Sequence, residues 1–166
     1  LTFAPISGAH FNPTVTLTDA VLGKMRWSDV PGYLLAQILG GFLGVAAADL
    51  MFDLPAFTLS HHPQTGPSQW LAEFIATFGL LGTIAGVSRR TPAATPFAVA
   101  AYIVAAYWCT ASTSFANPAV TFARAFTNTF TGIRLEDVPA FILAQLAGAL
   151  AAAVLFRWLI PESHPV

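Results

Sequence analysis

Phe11-Asn12-Pro13-Thr14-Val15-Thr16 and Ala116-Asn117-Pro118-Ala119-Val120-Thr121 are two spellings of one word, and they decide how this chain is read. Each sets an Asn-Pro pair ahead of a short apolar run, which is how a helix starts. Asn is a favoured N-cap, and proline at the first helical position gives up an N–H that would have no partner there. Asn12 and Asn117 each also carry a side-chain NH₂ with two donors. Two such starts in an apolar chain predict two half-helices, 13–23 and 118–128, pointing their positive ends and an amide donor at one place. That is the layout of a pore for polar, uncharged solutes.

The repetition runs beyond the motif. Asp29-Val30-Pro31-Gly32-Tyr33-Leu34-Leu35-Ala36-Gln37 answers to Asp137-Val138-Pro139-Ala140-Phe141-Ile142-Leu143-Ala144-Gln145, and Gly40 answers to Gly148. The Asn-Pro pairs stand at similar distances ahead, so a unit of half-helix plus spanning helix occurs twice. Duplicated units with interrupted apolar segments mark repeat-built channels and transporters. An Asp followed closely by Pro predicts an Asp-capped start for each spanning helix.

Composition places these units in a membrane. The chain is 55% hydrophobic and 9% charged, with a mean hydropathy of +0.65, against roughly a quarter charged in soluble domains. Apolar runs approaching the ~20 residues a bilayer demands fall at 30–51, 70–87, 96–111 and 138–160. Too few charged residues remain to solvate the surface of a soluble helical core. A net charge of −1 gives nucleic acid no footing, and the single Cys109 excludes an internal disulfide or a multi-thiolate metal site. His61 and His62 alone are too few to hold a metal, and no cofactor is expected. The chain opens at Leu1 within a glycine-containing loop, with no signal peptide, and reads as a piece whose upstream part lies elsewhere.

Lys24, Arg26, Arg89, Arg90 and Arg157 fall on one side of four threaded spans, Arg134 on the other, and Arg124 in the second half-helix. The positive-inside rule makes the first side cytoplasmic. The half-helices then enter from opposite faces, so the repeats are inverted.

Ser7-Gly8-Ala9-His10-Phe11-Asn12-Pro13-Thr14-Val15-Thr16, followed by Asn117-Pro118-Ala119, resembles the aquaporin (major intrinsic protein) family with its paired Asn-Pro-Ala boxes. Ala72-Glu73-Phe74 is similar to the start of that family's fourth helix. The resemblance covers essentially the whole chain. It implies an all-α membrane protein, an inverted repeat of six spanning helices and two re-entrant half-helices. It also implies a homotetramer in the lipid of the inner membrane, with one pore per subunit. On that map residues 1–166 are one domain holding the first half-helix, helices three to five, the second half-helix and helix six; the first two helices are missing. The first box departs to Asn-Pro-Thr. The family's filter arginine follows the second box, and that place is Val120 here, with Val15 matching it in the first repeat. By the same resemblance the rest of the visible filter lies near Ala105 and at Ser114. This small, uncharged filter resembles certain bacterial members, some linked to arsenic-resistance gene clusters. It implies passive passage of water, glycerol-like solutes or neutral arsenous acid.

The asparagines can cap with their oxygens and still face a solute with their NH₂ groups. Opposed half-helix starts, each worth about half an elementary charge, repel cations. Loops 7–11 and 113–116 are expected to expose carbonyls, because irregular backbone survives at this depth only where it lines a cavity. His10 reads either as a pore constriction or as a buried imidazole bonded to nearby backbone. Glu73 is ionisable within a span; a proton relay would need more carboxylates at its depth, so it is expected to brace a re-entrant loop. Asp19 and Arg124 each lie seven residues past their Asn, one turn beyond the filter position on the same face and about 6 Å further out. Arg124 is either a vestibule arginine or a cation at the negative end of its half-helix. Gly40 with Gly44, Gly82 with Gly86 and Gly148 with Ala152 are small pairs that let helices approach. A channel is the leading function. A secondary transporter on the same repeat would need coupling-ion ligands, a Ser7–His10 enzyme lacks an orienting partner, and a piece without activity is the remaining reading.

Overall fold

The structure, a computed structural model, describes residues 1–159. Its helices are α1 (Ala4–Ser7), α2 (Pro13–Val21), α3 (Val30–Met51), α4 (Pro67–Arg90), α5 (Thr95–Cys109), α6 (Pro118–Ala123) and α7 (Val138–Leu159), and no strand occurs among the described residues. Tight 3₁₀ turns follow at Pro92–Ala94, Arg124–Phe126 and Leu135–Asp137. α3, α4, α7 and α5 with its preceding turn are long and apolar enough to cross a membrane. α2 and α6 are the half-helices. Ile160, the expected last residue of the final span, lies outside the described residues.

Local chemistry sets most boundaries. Asn12 and Asn117 are extended, and each accepts N–H bonds on its side-chain oxygen ahead of a proline at the first helical position. α2 stops at Val21 rather than 23, closed by Leu22 and by Gly23 at φ +73°. After Ala123 the second half-helix tightens into its 3₁₀ turn and ends at Phe126 rather than 128. α4 starts earlier than the apolar run, because Gly66 at φ +104° turns the chain into Pro67. α5 ends at Cys109, where Thr110 goes extended. The two aspartates depart from expectation. Asp29 makes no cap bond and instead accepts from Arg26 Nε at 3.0 Å. Asp137 accepts from Arg134 Nε at 3.0 Å and from the Gln64 N–H at 3.0 Å. In both repeats an arginine three residues upstream takes the carboxylate, since its fork of charged donors binds a carboxylate more strongly than a helix N–H does.

α4 and α7 pack together over their length. Ala76, Leu80 and Leu81 of α4 bury against Ala149 and Ala152 of α7, and a Cβ added at Gly148 would collide with the Phe74 backbone. α3 is the counterpart of α7 in the first repeat. It rests on the second half-helix, where a Cβ at Gly41 would stand 3.2 Å from the Ala123 Cβ, but Gly40, the match for Gly148, has nothing within 4 Å. Leu35, Leu39 and Leu43 are exposed. The segment between α3 and α4 folds back over the second half-helix, with Thr58 and Ser60 N–H groups donating to the Phe126 and Ala125 carbonyls at 3.0 and 2.9 Å.

Two glycines at matching positions should therefore behave differently in this chain. Gly148→Ala overpacks a helix contact and is expected to cost about 1–3 kcal/mol. Gly40→Ala meets open space and should be neutral or stabilise by up to about 1 kcal/mol. Denaturation in detergent micelles reads both.

Candidate solute pore

The two Asn-Pro starts meet. Asn12 Nδ2 donates to the Ala116 carbonyl at 2.6 Å, and Asn117 Nδ2 donates to the Phe11 carbonyl at 3.0 Å. Each amide reaches the residue just ahead of the other asparagine. The oxygens stay at home: Asn12 Oδ1 accepts from the Thr14 N–H and hydroxyl at 3.0 and 2.8 Å, and Asn117 Oδ1 from the Ala119 and Val120 N–H groups at 3.0 and 3.2 Å. An amide NH₂ has two hydrogens, and these bonds use one from each asparagine. The second hydrogen of each has no protein acceptor among the described residues.

Glu73 stands behind the second loop, fully buried. Its Oε1 accepts from the Ser112 hydroxyl at 2.6 Å and the Phe115 N–H at 2.8 Å. Its Oε2 accepts from the Ala116 N–H at 2.8 Å and the Gln145 amide at 2.6 Å. These charge-assisted bonds hold a loop that is left-handed at Thr113, Ser114 and Ala116, with φ of +59°, +52° and +47°. That backbone costs roughly 1–2 kcal/mol per non-glycine residue. Gln145 also donates to the Thr121 hydroxyl at 2.8 Å, as Gln37 does to the Thr16 hydroxyl at 2.9 Å. Sequence reasoning quoted these Gln and Thr residues within the repeated words but gave them no role. The signal was their shared offset, each Thr four residues past its Asn and each Gln eight past its Asp.

Several loop carbonyls are already taken. Tyr33 donates to Ser7 at 2.6 Å, Gln37 to His10 at 2.8 Å, and the asparagines to Phe11 and Ala116. The carbonyls of Gly8, Ala9, Thr113, Ser114 and Phe115 have no protein partner among the described residues. The acceptor ladder is thus shorter than the loops that carry it. A cavity of about 550 Å³ opens beside α2, touching Asn12, Val15, Asp19 and Asn117 together with Leu80, Ile84, Val99 and Ile103. A second, of about 700 Å³, opens beside α6 and is lined by Val120, Arg124, Thr127, Thr129 and Thr131.

Of the expected filter, Val120 lines the second cavity, and Ser114 is buried with a hydroxyl that has no hydrogen-bond partner. Ala105 is exposed on α5 and lines neither of these two cavities. His10 departs from a backbone-bonded imidazole: its Nε2 lies 3.4 Å from Asp19 Oδ2, and its buried Nδ1 has no partner. The Arg124 guanidinium sits 4.3 Å over the Phe115 ring, and its buried Nη1 is likewise unpartnered.

Opposed half-helices meeting inside a bundle of apolar spans define a membrane channel protein. The comparisons agree. Residues 1–96 and 87–165 match the family described as Major intrinsic protein. The chain is 52% identical over 162 residues to the aquaglyceroporin AqpS of Rhizobium meliloti (strain 1021), covering 98% of this chain and 70% of that protein. It is 35% identical to aquaporin NIP1-1 of Oryza sativa subsp. japonica, over 89% of this chain and 53% of that one. A probable glycerol uptake facilitator protein of Thermotoga maritima is 38% identical over 51% of this chain and 42% of its own length. The chain belongs to the major intrinsic protein family, whose members are passive channels for water and glycerol-like solutes. It is a multi-pass protein of the inner membrane and not an enzyme.

The Glu73 cluster gives a direct test. Glu73→Gln turns an NH₂ toward groups that are themselves donors, and each buried donor left unmatched costs about 1–3 kcal/mol. The variant should melt well below the parent in detergent micelles, whereas Glu136→Gln, on an exposed carboxylate, should not.

Proposed function

We propose that this chain forms most of a pore that passes water and small uncharged solutes passively, glycerol and neutral arsenous acid among them. The observation that carries it is the reciprocal bonding of Asn12 and Asn117. It sets two free amide hydrogens and the positive starts of two half-helices beside the cavities on either side. A neutral polyol or arsenous acid entering there exchanges water for amide donors and loop carbonyls. A cation meets positive potential from both half-helices. The selectivity filter in this reading comprises Val120, Ser114 and, on α5, Ala105. Val120 replaces a charged donor with a small apolar group, which lowers both the steric and the desolvation barrier to solutes larger than water. Glu73 has its oxygens taken by four donors, so a secondary transporter finds no coupling-ion ligand there.

The reading also includes a helix pair packed on α3 as α4 and α5 stand in the second repeat. The open face at Gly40 supports it. So do the N–H groups of His10 and Phe11, which match those Glu73 holds at Phe115 and Ala116 but have no hydrogen bond among the described residues. A homotetramer, with each subunit carrying its own pore, belongs to the same reading.

Two flux measurements in proteoliposomes test this function. Placing two spanning helices ahead of Leu1 should raise glycerol flux well above that of this chain alone; equal fluxes would contradict the open-flank reading. In the covered channel, Val120→Arg should cut glycerol and arsenous acid flux about tenfold, equivalent to ~1.4 kcal/mol of added barrier, and spare water. Unchanged glycerol flux would remove Val120 from the filter.

A further inference from the structure

We propose that Asp19 and Arg124 form a bipolar charge filter in the pore assigned above, with Asp19 the barrier to anions and Arg124 the barrier to cations. The inference rests on the channel reading and extends it to two residues outside the filter position.

The two side chains occupy equivalent places of opposite sign. Each lies seven residues past its asparagine and one turn past the valine that fills the filter position. Asp19 lines the cavity beside α2 together with Val15, and Arg124 lines the cavity beside α6 together with Val120. Side chains on a helix lean toward its N-terminus, so both charges tilt back toward the asparagines from opposite ends. The repeat that makes the two half-helices alike makes them differ most sharply here.

Neither charge serves its own helix well enough to explain it. Asp19 falls in the last turn of α2, next to the negative end of the helix dipole, where a carboxylate is unfavourable. Its ionic neighbour is His10 at 3.4 Å, and its side chain remains 24% exposed. His10 and Asp19 are the titratable side chains among the residues lining that cavity. Arg124 closes α6, a favourable end for a cation, but its guanidinium lies over an aromatic ring rather than a carboxylate and keeps a buried, unpartnered Nη1. A carboxylate set against its own helix dipole points to function, and ionisable groups at membrane depth are functional by default.

Electrostatics divides the work. The centre of the pore carries donors, the second amide hydrogens of Asn12 and Asn117 and the N-terminus of the nine-residue α2, with Arg124 beyond them on the α6 side. All of these oppose a cation and attract an anion. A small anion arriving from the α6 side therefore meets attraction at Arg124 and at the asparagines. The opposing charge on its path is Asp19. A cation arriving from the same side meets Arg124 first.

The test is nitrate, potassium and glycerol flux measured together in proteoliposomes of the covered channel. Asp19→Asn should raise the nitrate-to-glycerol flux ratio about tenfold or more, since it removes a unit charge lining a narrow, partly desolvated path. Asp19→Glu should return the ratio to the parent value. Arg124→Gln should instead raise the potassium-to-glycerol ratio and leave nitrate excluded. Parent-like ratios in both neutral variants would overturn the filter. So would equal nitrate leaks in Asp19→Asn and Arg124→Gln, which would signify general loosening; should Asp19→Asn fail to insert, the potassium ratio of Arg124→Gln decides alone. A parent channel that passes no glycerol would overturn the underlying channel reading as well.

Discussion

Two helix starts that face each other repel, and this fold is organised around holding them together. Each half-helix presents about half a positive charge at its N-terminus. The apposition stands because Asn12 and Asn117 each use one amide hydrogen to bind the carbonyl preceding the other. The asparagine oxygens remain on their own helices as caps. One residue type in one position thus ends a loop, starts a helix, ties it to its opposite number and keeps a second amide hydrogen. Aspartate could cap but not donate, and serine would offer a single donor for both the tie and the solute.

Around that tie the two repeats are braced by similar parts. Gln37 and Gln145 each hold the threonine four residues past an asparagine. Glu73 fixes the left-handed stretch ahead of Asn117 from behind, leaving the Thr113, Ser114 and Phe115 carbonyls unbonded among the described residues. Strain in the loop and burial of a carboxylate offset each other. A buried carboxylate without donors would be costly, and so would a left-handed run of non-glycine residues without an anchor. In the proposed pore the solute-facing surface is the remainder: amide hydrogens, carbonyls and small side chains beside the cavities.

Much of this was legible in the sequence, for physical reasons. Asn-Pro before an apolar run is a local signal, and its repetition with matching downstream words reveals the inverted architecture without any three-dimensional information. Glu73 could be read as a brace because no second carboxylate shares its depth. Other features depend on geometry that spacing does not carry. Asp29 and Asp137 looked like caps, but an arginine within reach offered a stronger donor. The His10–Asp19 contact joins a loop to a half-helix, and neither residue alone announces the other.

The central claim is a passive pore for neutral solutes, and the dependence of flux on concentration tests it most directly. Glycerol influx into proteoliposomes should be measured over a wide concentration range, with and without an imposed pH gradient, in the channel with the open face of α3 covered. The account predicts influx that rises linearly with concentration and ignores the gradient. Saturable influx driven by the proton gradient would contradict it.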